Sequence, residues 1–134
     1  MTTSGPAPIP EATQRLILLA IPSVPYLEAL LLLRGAPALC WDAALVGARL
    51  YLGEKAAQGL LDQLQEAGLA APGATAGSVC YAPQGEHMRE LVDGLAHAYC
   101  RNLIGVSQLI HSKSNAKARQ FADAFVFWKQ PEKN

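Results

Sequence analysis

The feature that most constrains the fold is a pair of short helical patterns separated by only three residues, within residues 42–69. Asp42 is a favourable N-cap for the first helix, and residues 51–53 (Tyr-Leu-Gly) interrupt it. A second helix is predicted over residues 54–67, because its apolar positions recur at helical spacing, and Gly68 ends it with the backbone freedom that a helix exit needs. Those apolar positions are Ala57, Leu60, Leu61 and Leu64. Two helices joined so tightly are expected to pack against each other.

A β-hairpin is predicted directly after this helix pair. Two short apolar runs, residues 69–71 and 79–82, flank a Gly- and Pro-containing loop over residues 72–78, which is typical of a hairpin. Upstream, Ser23 is a suitable N-cap, and Pro25 is tolerated in a first helical turn. The upstream elements predicted are helices over residues 11–20 and 23–35 and a short apolar strand over residues 39–41. The sequence therefore predicts a mainly α-helical fold with a small β-hairpin.

A single long helix of about 25 residues is predicted from Gln84 onwards, because apolar side chains form one sustained stripe along it. The stripe residues expected at a two-fold dimer interface are Leu91, Leu95, Tyr99 and Val106. The alternative is that the stripe packs within the chain, against the N-terminal helices. A polar break over residues 112–115 and a last helix over residues 116–127 are expected to follow.

The composition is that of one folded domain. Of the 134 residues, 51% are apolar and 16% are charged, which is typical of globular chains and not of disordered ones. Residues 1–10 are predicted to be a disordered leader. Residues 11–83 are predicted to form the main domain, and residues 84–134 a helical extension packed on that domain.

The cysteines indicate a reducing compartment. Cys40, Cys80 and Cys100 are odd in number and match no common disulfide spacing, so buried free thiols in a cytoplasmic protein are expected. His97 lies one helical turn before Cys100, but no further ligand has a supporting spacing, so neither a metal nor a cofactor is predicted.

No catalytic motif occurs, which indicates that the chain is not an enzyme. Prolines interrupt the apolar residues 16–33, and a spanning helix needs about 20 apolar residues, so no membrane contact is expected.

Residues 42–69 resemble the core segment of small bacterial winged helix-turn-helix transcription regulators. With the flanking elements included, the resemblance covers residues 24–83. It implies that the second helix of the pair recognises DNA in the major groove and that the hairpin is the wing. The residues that the resemblance places at the DNA are Lys55, Gln58, Gly59 and Gln63. It implies a DNA-binding regulator of transcription that acts as a dimer in the cytoplasm.

The charge of the chain leaves a second hypothesis open. The formal net charge is zero, and the wing loop over residues 72–78 has no Lys or Arg, whereas DNA-binding proteins normally neutralise several phosphates. A basic run near the C-terminus supplies further candidates for phosphate contacts, namely Lys113, Lys117 and Arg119, although a solvated surface is the simpler interpretation. The alternative function is therefore a winged-helix module that binds a protein partner without DNA.

Overall fold

The computed structural model describes residues 7–112. Within this range six helices and three short strands follow one another. They are α1 (Glu11–Ala20), α2 (Val24–Gly35), β1 (Cys40–Trp41), α3 (Ala43–Leu50), α4 (Glu54–Glu66), β2 (Ala70–Pro72), β3 (Val79–Tyr81), α5 (Gly85–Arg101) and α6 (Leu103–Ser112). The prediction of a mainly α-helical chain with a small antiparallel sheet and C-terminal helices is confirmed.

Local capping explains where the central helices begin and end. The Ser23 Oγ accepts a hydrogen bond from the Tyr26 backbone N–H at 3.2 Å, and the Asp42 Oδ1 accepts one from the Leu45 N–H at 2.9 Å. Each bond satisfies a backbone donor that the first helical turn leaves without a partner. Gly68 follows α4 with a φ of +77°, the left-handed conformation that glycine adopts without strain. These caps and this exit are as predicted.

The three strands form one antiparallel sheet in the order β1-β3-β2. The central strand β3 pairs with both neighbours, and Trp41 of β1 lies opposite Val79 of β3. The hairpin loop is closed by a hydrogen bond from the Gly73 N–H to the Ser78 carbonyl at 2.8 Å. Gly77 takes a positive φ of 83° in that loop. The predicted hairpin is confirmed, and the sheet holds it next to the start of α3.

One hydrophobic core joins the helices to the sheet. Helix α2 contributes five buried side chains to it, and α1, α4, α5, α6 and Trp41 of β1 contribute others named below. Burial of large apolar side chains is the main stabilising contribution in such a domain. The largest fully buried side chains are Trp41, Ile17, Ile21, Leu27, Leu30, Leu33, Leu61, Leu64, Leu95 and Ile110.

The prediction of one long C-terminal helix is wrong, because the helix breaks at Asn102. That residue leaves helical geometry with φ −150° and ψ 65°, and its N–H closes α5 on the Ala98 carbonyl. Its side-chain Oδ1 accepts a hydrogen bond from the Gly105 N–H at 2.9 Å, and its Nδ2 donates to the Ala7 carbonyl at 2.9 Å. An Asn side chain competes with the backbone in this way, and here it caps α6 after it ends α5. The predicted break and last helix after residue 112 lie outside the described residues.

Part of the predicted leader also packs. Ile9 is partly buried against the core, and the Gln14 side chain donates a hydrogen bond to its carbonyl at 2.8 Å. With the bond from Asn102 to Ala7, residues 7–10 are attached to α1 and to the break between α5 and α6. Residues 1–6 lie outside the described range.

No single helix among residues 7–112 is both long and apolar enough to cross a membrane. Helices α1 and α2 pass such a test by length and composition only as a pair, and they are bent by 114° at the break between them.

Candidate interaction surface on α4

A close backbone approach positions α4 beside α3. A Cβ at Gly47 would lie 2.7 Å from the carbonyl oxygen of Leu52, so only glycine allows the connection to pass so near the helix. The Leu52 N–H in turn donates to the Gly47 carbonyl at 2.9 Å. Tyr51 makes the turn with a φ of 59°, which is uncommon for a residue with a Cβ. The tight connection leaves one long face of α4 open to solvent.

The α4 residues selected from the sequence all lie on this open part of the helix. Lys55, Gln58, Gly59 and Gln63 are exposed. The Gln58 Nε2 donates a hydrogen bond to the Asp62 Oδ1 at 2.9 Å, an arrangement that the i, i+4 spacing on a helix allows. A Cβ at Gly59 would meet no atom within 4 Å, so the helix backbone is directly accessible there. The other sequence-selected residues, Lys113, Lys117 and Arg119, lie outside the described residues.

The electrostatic character of this face is acidic. Lys55 is accompanied on the exposed side of α4 by Glu54, Asp62 and Glu66. The hairpin, residues 70–81, has no charged side chain. Across residues 7–112 there are six Lys and Arg against nine Asp and Glu, a net charge of −3. Three carboxylates and one Lys on α4 disfavour an anionic ligand there. The hairpin itself supplies no cation, and the nearest guanidinium shown beside it is that of Arg89 on α5, 5.9 Å from the centre of the Tyr81 ring.

Tyr51 is the most exposed large apolar side chain in the described residues, with 94% of its surface accessible. It lies in the turn between α3 and α4, three residues before α4 begins. Leu45, on α3, is also exposed to 37%. An aromatic ring beside a charged helix face is typical of the side chains that anchor protein interfaces.

The residues selected for a dimer interface lie against other parts of the same chain. Leu95 and Val106 are fully buried, and Leu91 and Tyr99 are partly buried against the core. The Tyr99 hydroxyl donates a hydrogen bond to the Glu28 carboxylate at 3.2 Å. Burial raises the pKa of Tyr99, and the neighbouring Glu28 charge raises it further. The stripe is thus intramolecular core at Leu95 and Val106, while dimerisation itself stays a prediction.

The prediction of three buried free thiols is wrong. Cys40 and Cys80 form a disulfide, and Cys100 is an exposed thiol on α5 and not a core residue. The physical reason is the sheet register, which places Cys40 directly opposite Cys80 with the two Cα atoms 4.4 Å apart. Their separation of 40 positions in the chain hides this proximity in the sequence. The only available signal was that the short strand and the second arm of the hairpin, both predicted, each contain one cysteine.

Within residues 7–112, no group of three or more His, Cys, Asp or Glu side chains lies together as a metal site would need. His97 is exposed. The candidate site is the solvent-exposed side of α4.

Comparison with known proteins finds no matching family model, no matching curated protein and no matching solved structure.

Proposed function

We propose that the chain is a winged helix-turn-helix protein. The order of elements from α2 to β3, with one short strand before the helix pair and a hairpin after it, supports this assignment. So does the sheet order β1-β3-β2, which joins the hairpin to the strand before α3. In such a fold α4 occupies the place of the recognition helix and β2–β3 that of the wing.

We further propose that this module acts by binding a protein, and that α4 is its contact surface. The observation that carries the proposal is the charge of the surface: three acids and one Lys on exposed α4, and no charge on the wing. A protein that binds DNA gains much of its affinity by bringing cations to phosphates. Asp62, in the middle of α4, would instead bring a carboxylate towards them.

The same surface defines the partner that it fits. Glu54, Asp62 and Glu66 favour a basic partner segment, because complementary charge steers association and disfavours wrong partners. Tyr51 supplies an exposed aromatic anchor at one end of the helix. The open backbone at Gly59 allows a partner chain to approach closely. The partner is thus a protein segment with Lys or Arg side chains and with apolar side chains that pack against an aromatic ring.

DNA binding is the second candidate, and it rests on the resemblance together with two exposed side chains. Lys55 and Gln58 lie on the first turns of α4, where a recognition helix contacts bases. To contact an adenine edge, Gln58 would have to leave its hydrogen bond with Asp62. Lys113, Lys117 and Arg119 would have to provide the phosphate contacts.

Parallel selections with the intact chain separate the two functions. A library of displayed random peptides is expected to enrich Lys- or Arg-containing sequences, whereas a library of random DNA duplexes at low salt is expected to enrich none. Binding of the enriched peptides should be lost in the double variant Asp62→Lys/Glu66→Lys, which reverses the charge of α4. The matched control is Glu86→Lys/Glu90→Lys, which makes the same charge change at exposed positions of α5.

Two results would contradict the protein-binding proposal. One is enrichment of a DNA motif whose affinity falls by about 1–3 kcal/mol in Gln58→Ala, the loss expected for a base contact. The other is peptide binding that the α4 and α5 charge reversals reduce equally, since that would reflect net charge and not a surface on α4.

A further inference from the structure

We propose that the Cys40–Cys80 disulfide is a redox-controlled clamp that holds the hairpin against β1. The disulfide joins the first residue of β1 to the middle residue of β3. It therefore connects the segment just before the α3–α4 pair with the arm of the hairpin that follows that pair. The clamp does not depend on which partner α4 binds.

The clamp matters because β1 has little else that pairs it with the sheet. The strand contains two residues and has two register pairs with β3, Cys40 with Cys80 and Trp41 with Val79. The 4.4 Å between the Cα atoms of the two cysteines is typical of a pair that exchanges no backbone hydrogen bonds. At that position the covalent bond is the principal link between the strands. When it is broken, the hairpin is held to β1 only at Trp41 and Val79 and by side-chain packing.

The surroundings of the sulfurs allow a small thiol to reach them. Cys40 and Cys80 are both half-buried and not enclosed in the core. Gly73 of the hairpin loop covers the bond, and a Cβ there would lie 2.8 Å from the Cys40 Sγ. The absence of a side chain at this position lets the hairpin loop lie directly against Cys40, next to the Ser78 hydroxyl.

The proposed reductant is a low-molecular-weight thiol of the glutathione class. Its thiolate attacks one sulfur, the Cys40–Cys80 bond breaks, and a mixed disulfide forms with the other cysteine released as a thiolate. A second small thiol attacks the mixed disulfide and leaves as the oxidised dimer. Two electrons pass to the protein sulfurs, and the two protons from the small thiols complete the Cys40 and Cys80 thiols. The oxidised dimer of the small thiol re-forms the Cys40–Cys80 disulfide by the same steps in reverse.

The test compares hydrogen exchange in the oxidised and reduced chain, in a Cys100→Ser background that removes the exposed thiol. Reduced glutathione is expected to open the disulfide in the folded protein, as mass spectrometry would show. Amides of residues 70–81 should then lose protection by about tenfold or more, while those of α2 and α5 keep theirs. Oxidised glutathione should restore the protection. The variant Cys40→Ser/Cys80→Ser should behave as the reduced chain and respond to neither reagent.

Each of the following outcomes would contradict the proposal of a redox-controlled clamp. Free thiols at both positions in the oxidised preparation would mean that the bond does not form. A disulfide that resists glutathione until the protein unfolds, or a hairpin equally protected in both states, would mean that it does not act as a switch. Loss of protection throughout the reduced chain would show that the disulfide stabilises the whole fold and not the hairpin alone. If oxidised glutathione reverses that loss in the Cys100→Ser protein, the loss is distinguished from misfolding of the Cys40→Ser/Cys80→Ser variant.

Discussion

The α3–α4 pair and helix α2, which packs against both of its members, are constructed differently. Helix α2 buries five of its twelve residues. Helix α3 buries only Val46 and Gly47, and α4 buries three positions and leaves most of its length in solvent. The position of α2 is specified mainly by the volume of its buried side chains, and that of the α3–α4 pair by the Asp42 cap, a close backbone approach and one narrow apolar face. This difference separates a helix that stabilises the molecule from a helix surface that is free to bind.

This separation has a consequence for mutations. Changes among the buried side chains of α2, α5 and α6 should lower stability and leave the α4 surface chemistry intact. Changes on the outer side of α4 should alter binding with little effect on stability, since exposed substitutions away from special contacts usually change the free energy of unfolding by less than about 0.5 kcal/mol.

The largest expected effect is at Leu95. Leu95→Ala removes a fully buried side chain and should lower the free energy of unfolding by about 2–5 kcal/mol in urea titrations. The matched control is Leu103→Ala on α6, a leucine exposed to 53%, for which a much smaller loss is expected. If the Leu95 change were nearly neutral, the residue would not be core, and its selection for an interface between two copies would regain support.

Asn102 should have the next largest effect. Asn102→Ala removes the cap on Gly105 and the hydrogen bond to Ala7, and a loss of about 1–2 kcal/mol in the free energy of unfolding is expected. Asn102→Asp keeps the acceptor oxygen but not the Nδ2 donor, so it should lose less. A stability gain in Asn102→Ala would instead indicate that α5 and α6 readily join into the continuous helix that the sequence pattern predicts.

Asn102 also illustrates what a sequence pattern can and cannot specify. Leu95 and Val106, two of the stripe residues, are fully buried, yet the same stripe fits a straight helix and a broken one. The break is supported by a local cap, in which the Gly105 N–H donates to the Asn102 Oδ1, and by a hydrogen bond from Asn102 to Ala7, which is 95 residues away and does not follow from any local pattern. Ser23 and Asp42 were predictable because each caps its helix within three residues. The disulfide was missed for the same reason as the break, since it depends on the register of strands that are distant in sequence.

The candidate surface was easier to predict than the contacts upon it. The apolar spacing of Ala57, Leu61 and Leu64 places Lys55 and Gln58 on the opposite, exposed side of α4. The hydrogen bond between Gln58 and Asp62 follows the i, i+4 spacing and could have been inferred from it. The near-complete exposure of Tyr51 could not, because no spacing rule applies to a single residue within a turn.

The smallest expected effect is at Gly59, and it carries the opposite sign. Gly59→Ala should raise the free energy of unfolding by about 0.5–1 kcal/mol, because alanine is the better helix former and the new Cβ meets no neighbour. Gly47→Ala, the control on α3, should lower it, since its Cβ would collide with the Leu52 carbonyl. If the partner of α4 approaches the backbone at Gly59, the same Gly59→Ala variant will bind it more weakly while being more stable. Chemical denaturation and peptide titration on one preparation measure both quantities, and parallel gains in stability and affinity would place the partner elsewhere on the helix.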